Sequence, residues 1–149
     1  MNKEAITVKN GEGDVLSVLG TKVRFLLEAA RTDHSFSLME GELPKDQGPP
    51  PHDHPWDEAY YIIDGDVWFM VDDKEQVYSA GDFIYAPGGT LHSFRGAGEK
   101  PARVLVFDAP ATQGAAGGQR RKLRIRAHPK RWRTTLGLGA GAAVSEWTR

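Results

Sequence analysis

Two imidazoles and a carboxylate fall within the seven residues HDHPWDE, as His52, His54 and Glu58. Neutral imidazole nitrogens and an ionised carboxylate are donors that divalent transition metals accept. Along an extended chain, side chains alternate between faces, so His52 and His54 point together and Glu58 keeps their parity. A bulge at Pro55-Trp56 would re-aim the acid without removing it from the group. Taken alone, the triplet is also what an exposed polar loop contains, and both readings stay open at this point. A second stretch, GDFIYAPGGTLHSF, brings His92 out at the start of a strand that follows the turn Pro87-Gly88-Gly89. Two hairpins packed face to face would set His92 opposite the other three. Asp53 and Asp57 have the opposite parity and are expected to face away. His34 sits in an expected turn, and His128 has no acidic or histidine neighbour, so neither is a candidate ligand.

The elements that must carry these residues read as short strands. Turn signals recur at Gly11-Glu12-Gly13-Asp14, Asp64-Gly65-Asp66, Asp72-Asp73, Gly81-Asp82 and Pro87-Gly88-Gly89. Between them lie runs rich in β-branched and aromatic residues: Tyr60–Ile63, Val67–Val71, Phe83–Ala86 and Arg103–Phe107. Many short strands with regular turns predict an all-β sandwich or barrel. Asp64-Gly65, between AYYII and VWFMV, predicts a tight hairpin. The segment from Val23 to Arg31 contains good helix formers. Its flanks nevertheless place it as one strand of a hairpin with SFSLMEGEL.

Composition narrows the chemistry. The chain has 149 residues and no cysteine, which rules out a disulfide, a thiolate zinc site and a cysteine nucleophile. No phosphate loop, G-x-S-x-G elbow or H-E-x-x-H stretch is present. The start lacks the apolar run of a signal peptide, and no apolar run approaches the ~20 residues that span a bilayer. A cytoplasmic location, away from any membrane, is therefore expected. The net charge of -1 is unevenly spread: residues 1–113 carry -9 and residues 114–149 carry +8. The strand pattern predicts one domain over residues 5–110. Residues 111–149 would then be a Gly/Ala-rich linker (ATQGAAGGQ) and a basic tail (RRKLRIRAHPKRWR). That tail shows no helix-turn-helix pattern and Pro129 interrupts it, so it is read as a solvated segment rather than a nucleic-acid partner site.

Together the two stretches resemble the cupin family. His52-x-His54-xxx-Glu58-xxxxxx-Gly65 matches its first motif from the histidines onward, and Gly81-xxxxx-Pro87-x-Gly89-xx-His92 matches its second. The family's first motif would have glycine where this chain has Asp46, with Gly48 nearby. An asparagine often ends the second motif, where Gly96 stands here. Both departures concern turns and not candidate ligands. The resemblance implies a double-stranded β-helix, or jelly-roll β-barrel, and a homodimer. It also implies a metal held by His52, His54, Glu58 and His92.

Three neutral imidazoles and one carboxylate suit Fe, Mn, Co, Ni, Cu or Zn better than Mg or Ca, and leave two positions of an octahedral ion open for small ligands. Trp56, Tyr60, Ile62 and Phe94 are the expected walls of a substrate pocket, and cationic side chains are few nearby. The sequence is most similar to single-domain cupins related to quercetin dioxygenases. That likeness implies a metal-dependent dioxygenase acting on a small hydroxylated or aromatic substrate, with Glu58 also accepting a substrate proton. The alternatives are a small-molecule-binding or sensory cupin without turnover, and a metal-dependent isomerase or lyase.

Overall fold

The structure is a computed structural model; it describes residues 4–111 and the backbone of Arg124–Ile125. The rest of the basic and Gly/Ala-rich tail, with His128, lies outside the described residues. Among the described residues eleven strands form two antiparallel sheets. In chain order they are β1 (Val15–Val18), β2 (Thr21–Leu27), β3 (Ser37–Leu43), β4 (His52–Asp53), β5 (Asp57–Asp64) and β6 (Asp66–Val71). They continue with β7 (Lys74–Ser79), β8 (Phe83–Ala86), β9 (His92–Gly96), β10 (Ala102–Ala109) and β11 (Arg124–Ile125). One sheet runs β1-β2-β3-β10-β5-β8 and the other β11-β4-β9-β6-β7. This is the all-β jelly roll that the turn pattern and the motifs predict. Among the described residues no helix is long and apolar enough to cross a membrane.

Alternation drives the strands to bury one face. On β10, Ala102, Val104 and Val106 point inward while Arg103 and Phe107 point out. On β5, Tyr60 and Ile62 are buried and Tyr61 and Ile63 are exposed, as their parity with Glu58 requires. These inward rows meet Leu43, Val67, Phe69 and Ile84 in one core between the sheets. Each such side chain, fully buried, contributes about 1.5–3 kcal/mol. The core fills the barrel, and the polar group described next sits against one end of it.

Three expectations need correction. Asp64-Gly65 is not a hairpin: β5 pairs with β8 and β10, whereas β6 pairs with β7 and β9. The chain crosses from one sheet to the other at this corner. Gly65 has φ of 78°, and a Cβ there would lie 2.9 Å from Ala102 Cα, so glycine serves a close approach to β10. Turn chemistry fixes the sign of φ but not which strands pair afterwards. The segment from Val23 to Arg31 is also not one strand. β2 ends at Leu27 and Ala29–Thr32 form a short 3-10 helix, closed by Asp33 in the left-handed region. Buried Ala29 and Thr32 anchor that turn, where the Thr32 hydroxyl reaches the Ala29 and Phe36 carbonyls. The third correction concerns His92. It does not face all three across the barrel: it is the cross-strand partner of His52 in the same sheet, and only Glu58 stands in the opposite sheet.

Candidate metal centre

The HDHPWDE stretch is the chain's passage from one sheet to the other. His52 belongs to β4 and pairs with His92 on β9; Glu58 belongs to β5 in the opposite sheet. Pro55-Trp56 is therefore a crossing rather than a bulge within one strand. His54 lies in the crossing itself. One ligand atom from each of His52, His54, Glu58 and His92 lies within 4.8 Å of the others. The three histidines are buried, His92 completely, and the Glu58 side chain is only 12% exposed.

Each imidazole is oriented by the backbone. His52 Nδ1 lies 2.8 Å from the Pro50 carbonyl, His54 Nδ1 2.8 Å from that of Trp56, and His92 Nδ1 2.9 Å from that of Thr90. A carbonyl only accepts, so each Nδ1 carries the proton and, in the neutral ring, each Nε2 presents its lone pair to the centre. Glu58 Oε2 lies 2.9 Å from His54 Nε2 and 3.0 Å from His92 Nε2. Lone pairs from nitrogen and carboxylate oxygen at that separation repel unless a cation lies among them. The donor set fits a divalent transition ion, and a shared proton satisfies it only in part.

The electrostatics agree. Burial raises the Glu58 carboxyl, but without a cation the protons that His54 and His92 share with it outweigh burial and hold the group well below the usual carboxylate range. Burial, aided by the neighbouring His92, pushes His52 down to about 4, so its ring stays neutral near pH 7. A neutral ring and an ionised acid are the forms that bind metal.

Two residues not singled out as ligands shape the surroundings. The Tyr60 hydroxyl donates to Glu58 Oε2. Asp108 is the next inward residue of β10 after Ala102, Val104 and Val106, and it stands directly across from Glu58. It is buried, and its Oδ1 finds no donor among the described residues. A carboxyl beside a carboxylate resolves this if Asp108 keeps its proton and donates to Glu58. Burial and the Glu58 charge indeed raise Asp108 to about 9. Sequence reading missed Asp108; the available signal was an acid closing an otherwise apolar inward row.

The residues expected to wall a pocket fall in two groups. Ile62 is fully enclosed and Tyr60 is 1% exposed, both inside the core. Half-buried Phe94 packs on Tyr60 and Phe69. Trp56 lies parallel to the His54 ring with centroids 4.0 Å apart, and its buried Nε1 has no partner among the described residues. Asp57, as expected, faces away: it accepts from the Gly88 N–H and the Tyr85 hydroxyl, both at 2.9 Å. Asp53 is buried on β4. Of the two motif departures, Asp46 lies in a turn, whereas Gly96 is the last residue of β9. Asp46 takes φ of 60°, a left-handed conformation that Asp tolerates, and a Cβ on Gly48 would lie 1.9 Å from the Phe94 carbonyl oxygen.

The Trp56–His54 stack predicts an optical signal. Loading the centre with Cu(II) is expected to quench a large share of the Trp56 fluorescence, and Trp56→Phe to remove that metal-dependent change. A change of unaltered size in the Phe variant would place the bound ion elsewhere.

Comparison with known proteins fits this geometry. The family described as "Cupin domain" matches residues 39–108. The quercetin 2,3-dioxygenase of Bacillus subtilis (strain 168) is 30% identical over 89 residues, 59% of this chain; the chain spans only 26% of that relative's length. Among solved structures, the polyketide cyclase RemF of Streptomyces resistomycificus matches with a TM-score of 0.70 at 21% identity, covering 85% of this chain and 89% of its own. A predicted oxalate decarboxylase from Thermotoga maritima matches with a TM-score of 0.66 at 20% identity, over 70% and 98%. KdgF from Halomonas sp. matches at 0.65 and 19%, over 73% and 96%. At these identities the structural matches establish the fold alone.

Proposed function

We propose that this chain, whose residues 39–108 match the family described as "Cupin domain", is a metal-dependent dioxygenase for a small hydroxylated or aromatic substrate. The observation that carries this reading is the donor set: three imidazoles with Nε2 turned inward and one ionised carboxylate within 4.8 Å of one another. The sequence similarity to a quercetin 2,3-dioxygenase favours an oxygenase over the other chemistries of this fold.

In this reading His52, His54, Glu58 and His92 hold one divalent transition ion. Once bound, that ion supplies Lewis acidity toward a substrate hydroxyl and redox contact with dioxygen. The chain's own residues do the rest. The backbone carbonyls of Pro50, Trp56 and Thr90 fix the imidazole tautomers, so the donors need no reorganisation. Glu58, ionised and at the centre, accepts the proton of the substrate hydroxyl. Trp56 and Phe94, less enclosed than Ile62, offer an aromatic wall for a planar substrate, and the unpartnered Trp56 N–H offers a donor to a substrate oxygen.

Oxygen uptake tests the reading. Protein reconstituted with each of Fe, Mn, Co, Ni, Cu and Zn, and offered polyphenols and diketones, is expected to consume dioxygen in step with substrate loss. Turnover at an undiminished rate without oxygen would instead indicate an isomerase or lyase. Saturable binding without turnover would indicate a sensory module.

A further inference from the structure

We propose that Tyr60 is a positioning residue that fixes the Glu58 carboxylate toward the three imidazoles; this rests on the four-residue centre binding a metal. Glutamate has three rotatable side-chain bonds, and nothing in its own backbone environment selects the rotamer that a metal needs. The imidazoles are each tied to a carbonyl. Glu58 has no such backbone partner among its hydrogen bonds. Its Oε2 accepts from the Tyr60 hydroxyl, and that same oxygen faces His54 and His92. Tyr60 sits two residues further along β5 on the same inward face, so the phenol reaches Glu58 from the core side.

The phenol can hold because its ring cannot move. Tyr60 packs edge-on against Phe69 at 4.8 Å and Phe94 at 4.9 Å, and its backbone pairs with Ile84 on one side and Val106 on the other. A rigid ring places its hydroxyl at one point, and a hydrogen bond from that point, beside Asp108 across the strand, narrows the orientations open to the carboxylate. Outer partners of this kind typically change metal affinity 10–100-fold when removed. A Phe at position 60 keeps the ring and its packing but loses the donor.

The test uses the full-length chain, stripped of metal and titrated with Co(II), followed by visible absorption. Tyr60→Phe is expected to raise the Co(II) Kd about tenfold or more and to alter the d–d bands, while the melting temperature of the apo-protein stays close to wild type. Ile84→Ala is the packing control beside Tyr60: it should lower the melting temperature and leave the Co(II) Kd and spectrum unchanged. A Tyr60→Phe protein with wild-type affinity and bands overturns the positioning role while leaving the metal centre intact. A wild-type protein that takes up no Co(II) overturns the metal reading, and this inference with it.

Discussion

His92→Ala, purified beside the wild type, is expected to lose more than nine-tenths of its bound transition metal while keeping a β-sheet circular dichroism spectrum. His92 is completely buried, and its Nε2 is one of the two nitrogens within 3.0 Å of Glu58 Oε2. It is also the only donor supplied by β9, so no neighbour can replace it. Loss of a mere outer partner costs about 10–100-fold in metal affinity, and removal of a ligand exceeds that range. Elemental analysis of both proteins, with His34→Ala as a control outside the four-residue cluster, gives the answer. Equal metal content in His92→Ala and wild type would dismiss the centre.

The second large effect is a gain. Asp108→Asn is expected to make the metal-free protein more stable, and more so at pH 8 than at pH 5. Burial and the adjacent Glu58 raise the Asp108 carboxyl to about 9 from an ordinary 3.8. Between those values the folded chain holds a proton that the unfolded chain releases. Folding then takes up a proton, and stability falls as pH rises through the window. Asn carries the same shape, donates to Glu58 through its amide and does not titrate, so the pH-dependent loss disappears. At about 1.36 kcal/mol per pKa unit, the gain at pH 8 is on the order of a few kcal/mol. His52 works in the opposite sense. Its ring is lowered to about 4, so the unfolded chain binds the extra proton and stability is lost as pH falls from about 6.5. Urea unfolding at pH 5 and pH 8 separates the two groups. If Asp108→Asn destabilised equally at both, a structural role for the acid would replace the ionic one.

How much of this was legible in the sequence follows from what is local. Parity within β5 placed Glu58, Tyr60 and Ile62 on one face, and the Pro87-Gly88-Gly89 turn delivered His92 to the start of β9. The four donors could be named because each lies in a short motif whose spacing reflects backbone geometry. Strand partnership was not legible. Asp64-Gly65 carries a hairpin's residues but turns a corner between sheets, because the competition among β10, β8 and β6 for β5 is decided by packing. Asp108 was missed for the same reason: fifty residues separate it from Glu58, and only the register of β10 on β5 joins them. Tyr60 was read as a pocket wall since an aromatic side chain's apolar body is evident in sequence, whereas the target of its hydroxyl is not.

The ligand strand β4 is two residues long and takes its neighbours from far along the chain. His52 pairs with His92 on one side and with Ile125 on the other. Such distant pairings form late, since loop-closure entropy must be overcome before contact is made. During synthesis, at about 5–20 residues per second, β4 remains an open sheet edge until Ile125 has been added and has emerged. All four donors lie within residues 52–92, so β11 covers the edge of the ligand strand only after every donor has been made.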